Sequence, residues 1–184
     1  DKGISNHHNL QSLFLSTNKI KTDHLTQLWD KIVLTFKEDL VIQALQIIEP
    51  KIQRIGITLN QYSPLIRLKL KDHPQPISLN IMGEGINKIL TLAMFLVNVE
   101  NGVLLIDEIE TGLHYEAQID MWKLLLNTAQ KLNIQVFATT HSWDCISAFQ
   151  SALQEMENIS MGKLFRLQNK NDQIKAVEYD AEDL

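Results

Sequence analysis

Cysteine is almost missing from this chain: its 184 residues hold one, Cys145, which excludes an internal disulfide and any multi-cysteine zinc site. Glycine is sparse at seven, and none of the seven precedes Lys-Ser or Lys-Thr. The Gly-x-x-x-x-Gly-Lys-Ser/Thr loop that cradles phosphates is therefore not among these residues. Only three arginines occur, Arg54, Arg67 and Arg166, all outside the motif segments described below, so an arginine finger supplied by this chain is unsupported. Positive charge is outweighed, 17 Lys and Arg against 22 Asp and Glu, and a net charge of -5 argues against a broad nucleic-acid surface on this portion. No long hydrophobic run is present: the most apolar stretch, Ile89 to Val97, is far too short to span a bilayer. No basic, apolar leader opens the chain, and internal repeats and low-complexity tracts are absent. The expectation is a soluble cytoplasmic globular piece without a membrane partner, consistent with 45% apolar and 21% charged residues.

What is present concentrates in Gly102 to Glu110, Gly-Val-Leu-Leu-Ile-Asp-Glu-Ile-Glu, an apolar run that ends in two adjacent carboxylates, Asp107 and Glu108. A continuous Val-Leu-Leu-Ile run suits a central parallel strand covered on both faces, and ligands of such sheets collect beyond the carboxyl ends of the strands. Side chains of neighbouring residues diverge at a strand end, so one carboxylate can face a metal while the next faces a nucleophile. A strand that merely ends in an acidic turn is the plain alternative.

A second apolar run, Asn133 to Ala138, ends in Thr139, Thr140, His141 and Ser142. Between the runs, Tyr115 to Lys131 spaces Ile119, Trp122, Leu125, Leu126 and Ala129 by threes and fours, an apolar stripe at helical period. Strand, helix, strand in that order is a right-handed crossover, which returns the second strand parallel to the first. His141 and Glu108 are then expected at one sheet edge. A lone histidine after a strand is commonly structural; beside an acidic strand end it reads as part of a site. Earlier, Met82-Gly-Glu-Gly85 precedes a strongly apolar segment. This is the pattern of a helix N-terminus, where unpaired N–H groups and the helix dipole favour an anion and glycines allow close approach.

Together these segments resemble the second half of an ABC-type ATPase of the soluble AAA family, related to the overcoming-lysogenization-defect proteins and more distantly to the SMC and RecF heads. The matches run in order over roughly residues 50 to 170. Met82 to Gly85, continuing to Lys88, stands at the signature motif, Leu104 to Glu108 at Walker B, Glu110 to His114 at the D-loop, and Phe137 to His141 at the switch-histidine strand. The resemblance implies an α/β, P-loop NTPase-like parallel sheet with flanking helices, a helical insert over about residues 21–50 and a C-terminal β-hairpin. It divides residues 1–184, as the C-terminal portion of one such domain, into that insert, a signature-like loop and helix at about 77–99, and a Walker B to switch-histidine stretch at about 102–142.

By the same resemblance the activity is ATP hydrolysis with Mg2+ in the complete protein. Asp107 would contribute to Mg2+, Glu108 would orient or deprotonate the attacking water, and His141 would contact the γ-phosphate. Met82, Gly83, Glu84 and Gly85 would act on the nucleotide of an opposing subunit in a head-to-tail homodimer, and Gly112 and His114 belong to the D-loop match. His114 is equally readable as a partner contact or as a surface residue at a helix start. Two departures stand out. Met82 occupies the place of the signature's usual serine, and Glu84 would oppose a phosphate unless it turns aside. The missing phosphate loop, together with a chain that opens at Asp1, implies an absent N-terminal half and a fragment inactive by itself. A nuclease or other DNA-acting partner is the expected attached activity. A non-catalytic scaffold retaining the half-cassette fold is the alternative, and a transporter subunit is disfavoured because the Leu-Ser-Gly-Gly-Gln string is missing.

Elsewhere, Leu10 to Leu15 reads as a short strand or a tail remnant, and His7 and His8, which form no metal spacing with other ligands, as solvent-facing or part of a disordered lead. Two helices are expected between Thr22 and Ile48. The first has a stripe of Leu25, Leu28, Trp29 and Ile32 and is capped by Thr22 or Asp23; the second has a stripe of Phe36, Leu40, Val41, Ala44, Leu45 and Ile48 and stops at Glu49-Pro50. Ile52 to Asn60 and Leu65 to Leu70 read as paired strands, and Lys163 to Gln168 with Gln173 to Glu178 as a hairpin, followed by an acidic tail, Asp180 to Leu184. Trp29, Trp122 and Trp143 are assigned to core or helix-packing positions, and Cys145 to a buried site at a helix start.

Overall fold

The computed structural model describes residues 10–18, 20–59, 63–170 and 173–179. His7, His8 and the tail Asp180 to Leu184 lie outside them. A parallel sheet carries the two apolar runs: β1 (Ser12–Leu15), β5 (Val103–Ile106) and β6 (Gln135–Ala138), with β5 in the middle. Leu104 pairs with Leu13 on one side and Val136 on the other, and Ile106 with Leu15 and Ala138. Gly102 opens β5 because nothing larger fits: a Cβ there would lie 2.2 Å from the Gln11 carbonyl oxygen. Within the segment from Leu10, Ser12–Leu15 is thus a strand of this sheet and not a tail.

A second, antiparallel sheet has the order β2 (Ile52–Leu59), β3 (Pro64–Leu70), β4 (Ile77–Ser78). Alternation in β3 places Ile66, Leu68 and Leu70 in the core and leaves Arg67 exposed. The chain closes on the hairpin β7 (Leu164–Lys170) and β8 (Gln173–Tyr179), where Lys170 pairs with Gln173.

Helices fill the space around α3 (Glu84–Val97), which is strongly apolar and buried at Ile86, Ile89 and Leu90 and through the run Leu92 to Val97, with Glu84, Asn87, Lys88 and Thr91 on its one polar side. It packs against α1 (Thr22–Asp30), α2 (Phe36–Gln46) and α4 (Gln118–Lys131), and α4 packs in turn on α5 (Trp143–Glu155). Each fully buried Leu, Ile or Phe here contributes on the order of 1.5–3 kcal/mol. Asn98, just past α3, ties the layers together through its side-chain amide, which donates to the carbonyls of Met94 (2.8 Å) and Leu28 (3.2 Å). Among the described residues no helix is long and apolar enough to cross a membrane.

Several expectations need correction. The expected helix at Tyr115 starts with a 3-10 turn, Tyr115–Ala117, before α4 proper. The N-cap of α1 is Lys21, without a side-chain cap, so Thr22 and Asp23 both lie inside the first turn, where Asp23 still meets the positive end of the helix dipole. Phe36 is 53% exposed because it opens α2 on the outer side, where the Lys131 ammonium lies 5.7 Å from its ring centre. Trp143 is 76% exposed. It precedes the buried Cys145 by two residues, about 200° around the helix, and so points away from the core. Trp29 and Trp122 are buried, as is Cys145. Finally, among the described residues β5 is covered on one face only: Phe14, Leu105 and Phe137, neighbours in register across the sheet, are 59%, 39% and 54% exposed.

Candidate functional site

Parallel pairing of β5 with β6 brings Asp107–Glu110 and Thr139–Ser142 out at one edge of the sheet. The Asp107 N–H donates to the Leu15 carbonyl (2.9 Å), so β1 also extends to the acids. The Thr139 hydroxyl donates to Asp107 Oδ1 at 2.8 Å and accepts the Glu108 N–H at 3.0 Å. Glu108 itself has left the strand conformation. Its φ is +46°, a left-handed geometry that costs a side-chain-bearing residue about 1–2 kcal/mol and turns the backbone sharply after Asp107. Its carbonyl accepts from the Thr111 N–H (3.1 Å) and lies 3.5 Å from the Lys88 Nζ donor, while its carboxylate accepts the Thr111 hydroxyl at 3.2 Å.

Glu110 joins the two strand ends. One carboxylate oxygen accepts the backbone N–H of His141 (3.2 Å), and the other is buried without a hydrogen-bond partner. Positive charge comes from Lys88 on α3. Burial pushes its ammonium below the ordinary lysine range, against the opposing pull of Glu110, Glu108 and Asp107. Beyond His141, Ser142 caps α5 by accepting the Cys145 N–H (3.2 Å). Cys145 is buried, and desolvation raises its thiol pKa. His141 is exposed at the sheet rim.

The Met82–Gly85 segment forms the start of α3. Gly83 is the N-cap with φ +96°, it offers no side chain to the first-turn N–H groups, and the space a Cβ would occupy there is open for 4 Å. Asn87 Nδ2 donates back to the Gly83 carbonyl at 2.7 Å. Glu84 is turned aside toward Gly112: a Cβ built on Gly112, whose φ is +84°, would sit 3.3 Å from Glu84 Cγ. The signature-like loop and the Gly112 turn are therefore packed against each other within one chain. Met82 is half-buried against the core. His114 is exposed, 4.5 Å between ring centres from Tyr115 and 3.6 Å from the Glu116 carboxylate.

Three residues that the sequence placed within the motif segments but gave no role are drawn by the structure into this edge: Thr139, Thr111 and Lys88. Their signal is faint, since a threonine after a strand or in a turn is ordinary and Lys88 falls on the polar side of an otherwise apolar helix.

A match to the AAA ATPase domain model extends over residues 4–146. The chain belongs to the AAA ATPase domain family. It is 30% identical over 139 residues to an ATP/GTP phosphatase of Helicobacter pylori, an alignment that takes in 72% of this chain and 36% of that protein. This AAA ATPase domain chain thus spans about a third of the length of that relative. An uncharacterized protein of Methanocaldococcus jannaschii is 36% identical over 66 residues, 35% of this chain and 57% of that protein. Among solved structures, one from work on ATP-driven dimerization and DNA-stimulated activation of SMC ATPases superposes with a TM-score of 0.58 at 12% identity, covering 89% of this chain and 92% of the other. The SMC head domain from Thermotoga maritima gives 0.55 at 11%, covering 91% and 53%. At such identities these superpositions establish the fold, an α/β P-loop NTPase-like architecture with a parallel sheet and flanking helices.

Proposed function

We propose that this chain is the C-terminal portion of an ATP-hydrolysing domain, and that Asp107, Glu108 and His141 form the hydrolytic edge of its nucleotide site. The observation that carries the reading is the knitting of the β5 and β6 ends by Thr139 and Glu110, which sets two acids and the histidine segment at one rim of a parallel sheet. Bound Mg2+ neutralises charge on the phosphate oxygens during transfer. The donors fit that ion. Thr139 engages only one oxygen of Asp107, and among the described residues no cluster of three or more His, Cys, Asp or Glu could hold a metal without help. Mg2+ characteristically takes one or two carboxylates and completes its shell with water and substrate phosphates. Glu108, turned out of the strand, orients the attacking water and accepts its proton, and His141 meets the γ-phosphate.

The open N-terminus of α3 at Gly83, with Met82, Glu84 and Gly85 around it, faces the nucleotide of a second subunit. Its free first-turn N–H groups replace the hydroxyl that Met82 lacks. Gly112 and His114 line the same contact. The uncovered sheet face at Phe14, Leu105 and Phe137 receives the N-terminal half of the same domain, which brings the phosphate loop. Without that half the chain is inactive. The complete protein works as a cytoplasmic homodimer whose nucleotide cycle drives an attached activity, a nuclease or other DNA-acting module being the class considered. The test is phosphate release and dimerisation of the complete protein with ATP and Mg2+. Asp107→Asn lowers Mg2+-dependent nucleotide binding; a protein that neither binds nor hydrolyses ATP is instead a scaffold.

A further inference from the structure

We propose that Thr139 is a positioning residue that sets the geometry of the Asp107–Glu108 pair; the proposal rests on the reading of those acids given above. One residue at the end of β6 meets four consecutive residues at the end of β5. The Thr139 N–H donates to the Ile106 carbonyl at 2.9 Å, its hydroxyl donates to Asp107 Oδ1 at 2.8 Å and accepts the Glu108 N–H at 3.0 Å, and its carbonyl accepts the Ile109 N–H at 3.1 Å. The two backbone bonds are available to any residue other than proline. The two hydroxyl bonds belong to this side chain alone.

Their polarity is fixed. An amide can only donate, so the hydroxyl oxygen accepts from Glu108 and its single proton goes to Asp107. One side chain therefore does two things at once. It fixes the rotation of the Asp107 carboxylate, leaving the second oxygen for a cation, and it satisfies the amide of a residue held at φ +46°. Strained backbone of this kind persists where its surroundings over-determine it. Thr111 and Lys88 act on the carbonyl and carboxylate of Glu108, and Thr139 is the partner of its amide. With the hydroxyl gone, the amide turns to water, the turn relaxes toward extended backbone, and the Glu108 carboxylate leaves the direction that the nucleophile requires. Thr139 touches neither water nor phosphate in this scheme and acts through the two acids.

The test compares Thr139→Val, which keeps the shape without the hydroxyl, with Thr139→Ser, which keeps the hydroxyl, in the complete ATPase. Three quantities are read: the Mg2+ concentration for half-maximal binding of a fluorescent ATP analogue, ATP turnover, and hydrogen exchange at the Glu108 amide. Partners that orient metal ligands are worth about 10–100-fold in metal affinity or activity. Thr139→Val is expected to raise the Mg2+ requirement and lower turnover by about tenfold or more each, with faster amide exchange, and Thr139→Ser to restore all three to within about threefold. Thr139→Val with a wild-type Mg2+ requirement and wild-type amide exchange overturns the proposal, as does Thr139→Ser impaired tenfold. Should Thr139→Val fail to fold by circular dichroism, the serine variant and its Glu108 amide exchange decide by the same limits. Glu108→Gln measured alongside separates the two levels: undiminished turnover there removes Glu108 from the mechanism, whereas collapsed turnover with an unaffected Thr139→Val removes Thr139 alone.

Discussion

Replacing Glu108 by glutamine tests the chemistry with little disturbance of the fold, and the structure says why. The backbone of Glu108 is held at its N–H by the Thr139 hydroxyl and at its carbonyl by the Thr111 N–H, neither of which involves the carboxylate. The carboxylate receives the Thr111 hydroxyl at 3.2 Å, a bond that an amide oxygen accepts equally well. The substitution removes one of the charges that pull on the Lys88 ammonium and otherwise breaks no named interaction, so stability shifts by no more than about 1 kcal/mol. Turnover responds quite differently. A positioned general base contributes about 10²–10⁴-fold. At about 1.36 kcal/mol per tenfold, that is roughly 2.7–5.4 kcal/mol of transition-state stabilisation lost, with the ground-state nucleotide contacts kept. In the complete ATPase, steady-state phosphate release with saturating ATP and Mg2+ is expected to fall by at least about a hundredfold. Filter-retained ATP and the lifetime of the nucleotide-bound dimer rise at the same time. Turnover within about threefold of wild type, with an unchanged melting temperature, refutes the assignment of Glu108 as base or water-orienting group.

Other consequences are structural. Gly102→Ala drives a Cβ to within 2.2 Å of the Gln11 carbonyl, so β1 must shift against β5; a loss of about 2 kcal/mol or more in urea denaturation is expected, and an unchanged midpoint contradicts the strand contact. Asn98→Ala strands the Leu28 carbonyl in the core and is expected to cost about 1–3 kcal/mol by the same measurement. Burial holds the proton on the Cys145 thiol to higher pH than in the unfolded chain. The native state is thereby favoured fully below the ordinary thiol value of 9.0 and progressively less as the pH rises through the higher folded value. Iodoacetamide at pH 8 should therefore label Cys145 far more slowly in the native protein than in urea, and equal rates contradict its burial.

Local chemistry made much of the fold legible. The apolar run ending in Asp107 and Glu108, the helical stripe Trp122-Leu125-Leu126-Ala129 and the second run ending at His141 describe a strand, a crossover helix and a parallel strand, and β5, α4 and β6 stand in those places. The period of each segment is written in which residues avoid water, so neighbours in sequence suffice to read it. The same reasoning ran out where partners are distant in the chain. Phe36 and Trp143 look like core residues by composition, but their place in the first turn of a helix aims them outward. Leu105 belongs to a strand apolar enough to be covered twice, yet nothing among the described residues covers its outer face.

Amino-acid order alone determined where the longer helices and the central strands run, and it placed two acids and a histidine segment just past two apolar runs, because periodicity and strand ends are local properties. Only the tertiary structure decided that Ser12–Leu15 joins the sheet and that Glu84 turns onto Gly112. It alone brought Thr139, 32 residues along the chain from Asp107, to the hydrogen bond that orients it. Those outcomes depend on strand order and on hydrogen bonds between residues far apart in sequence, and no window of neighbours contains them.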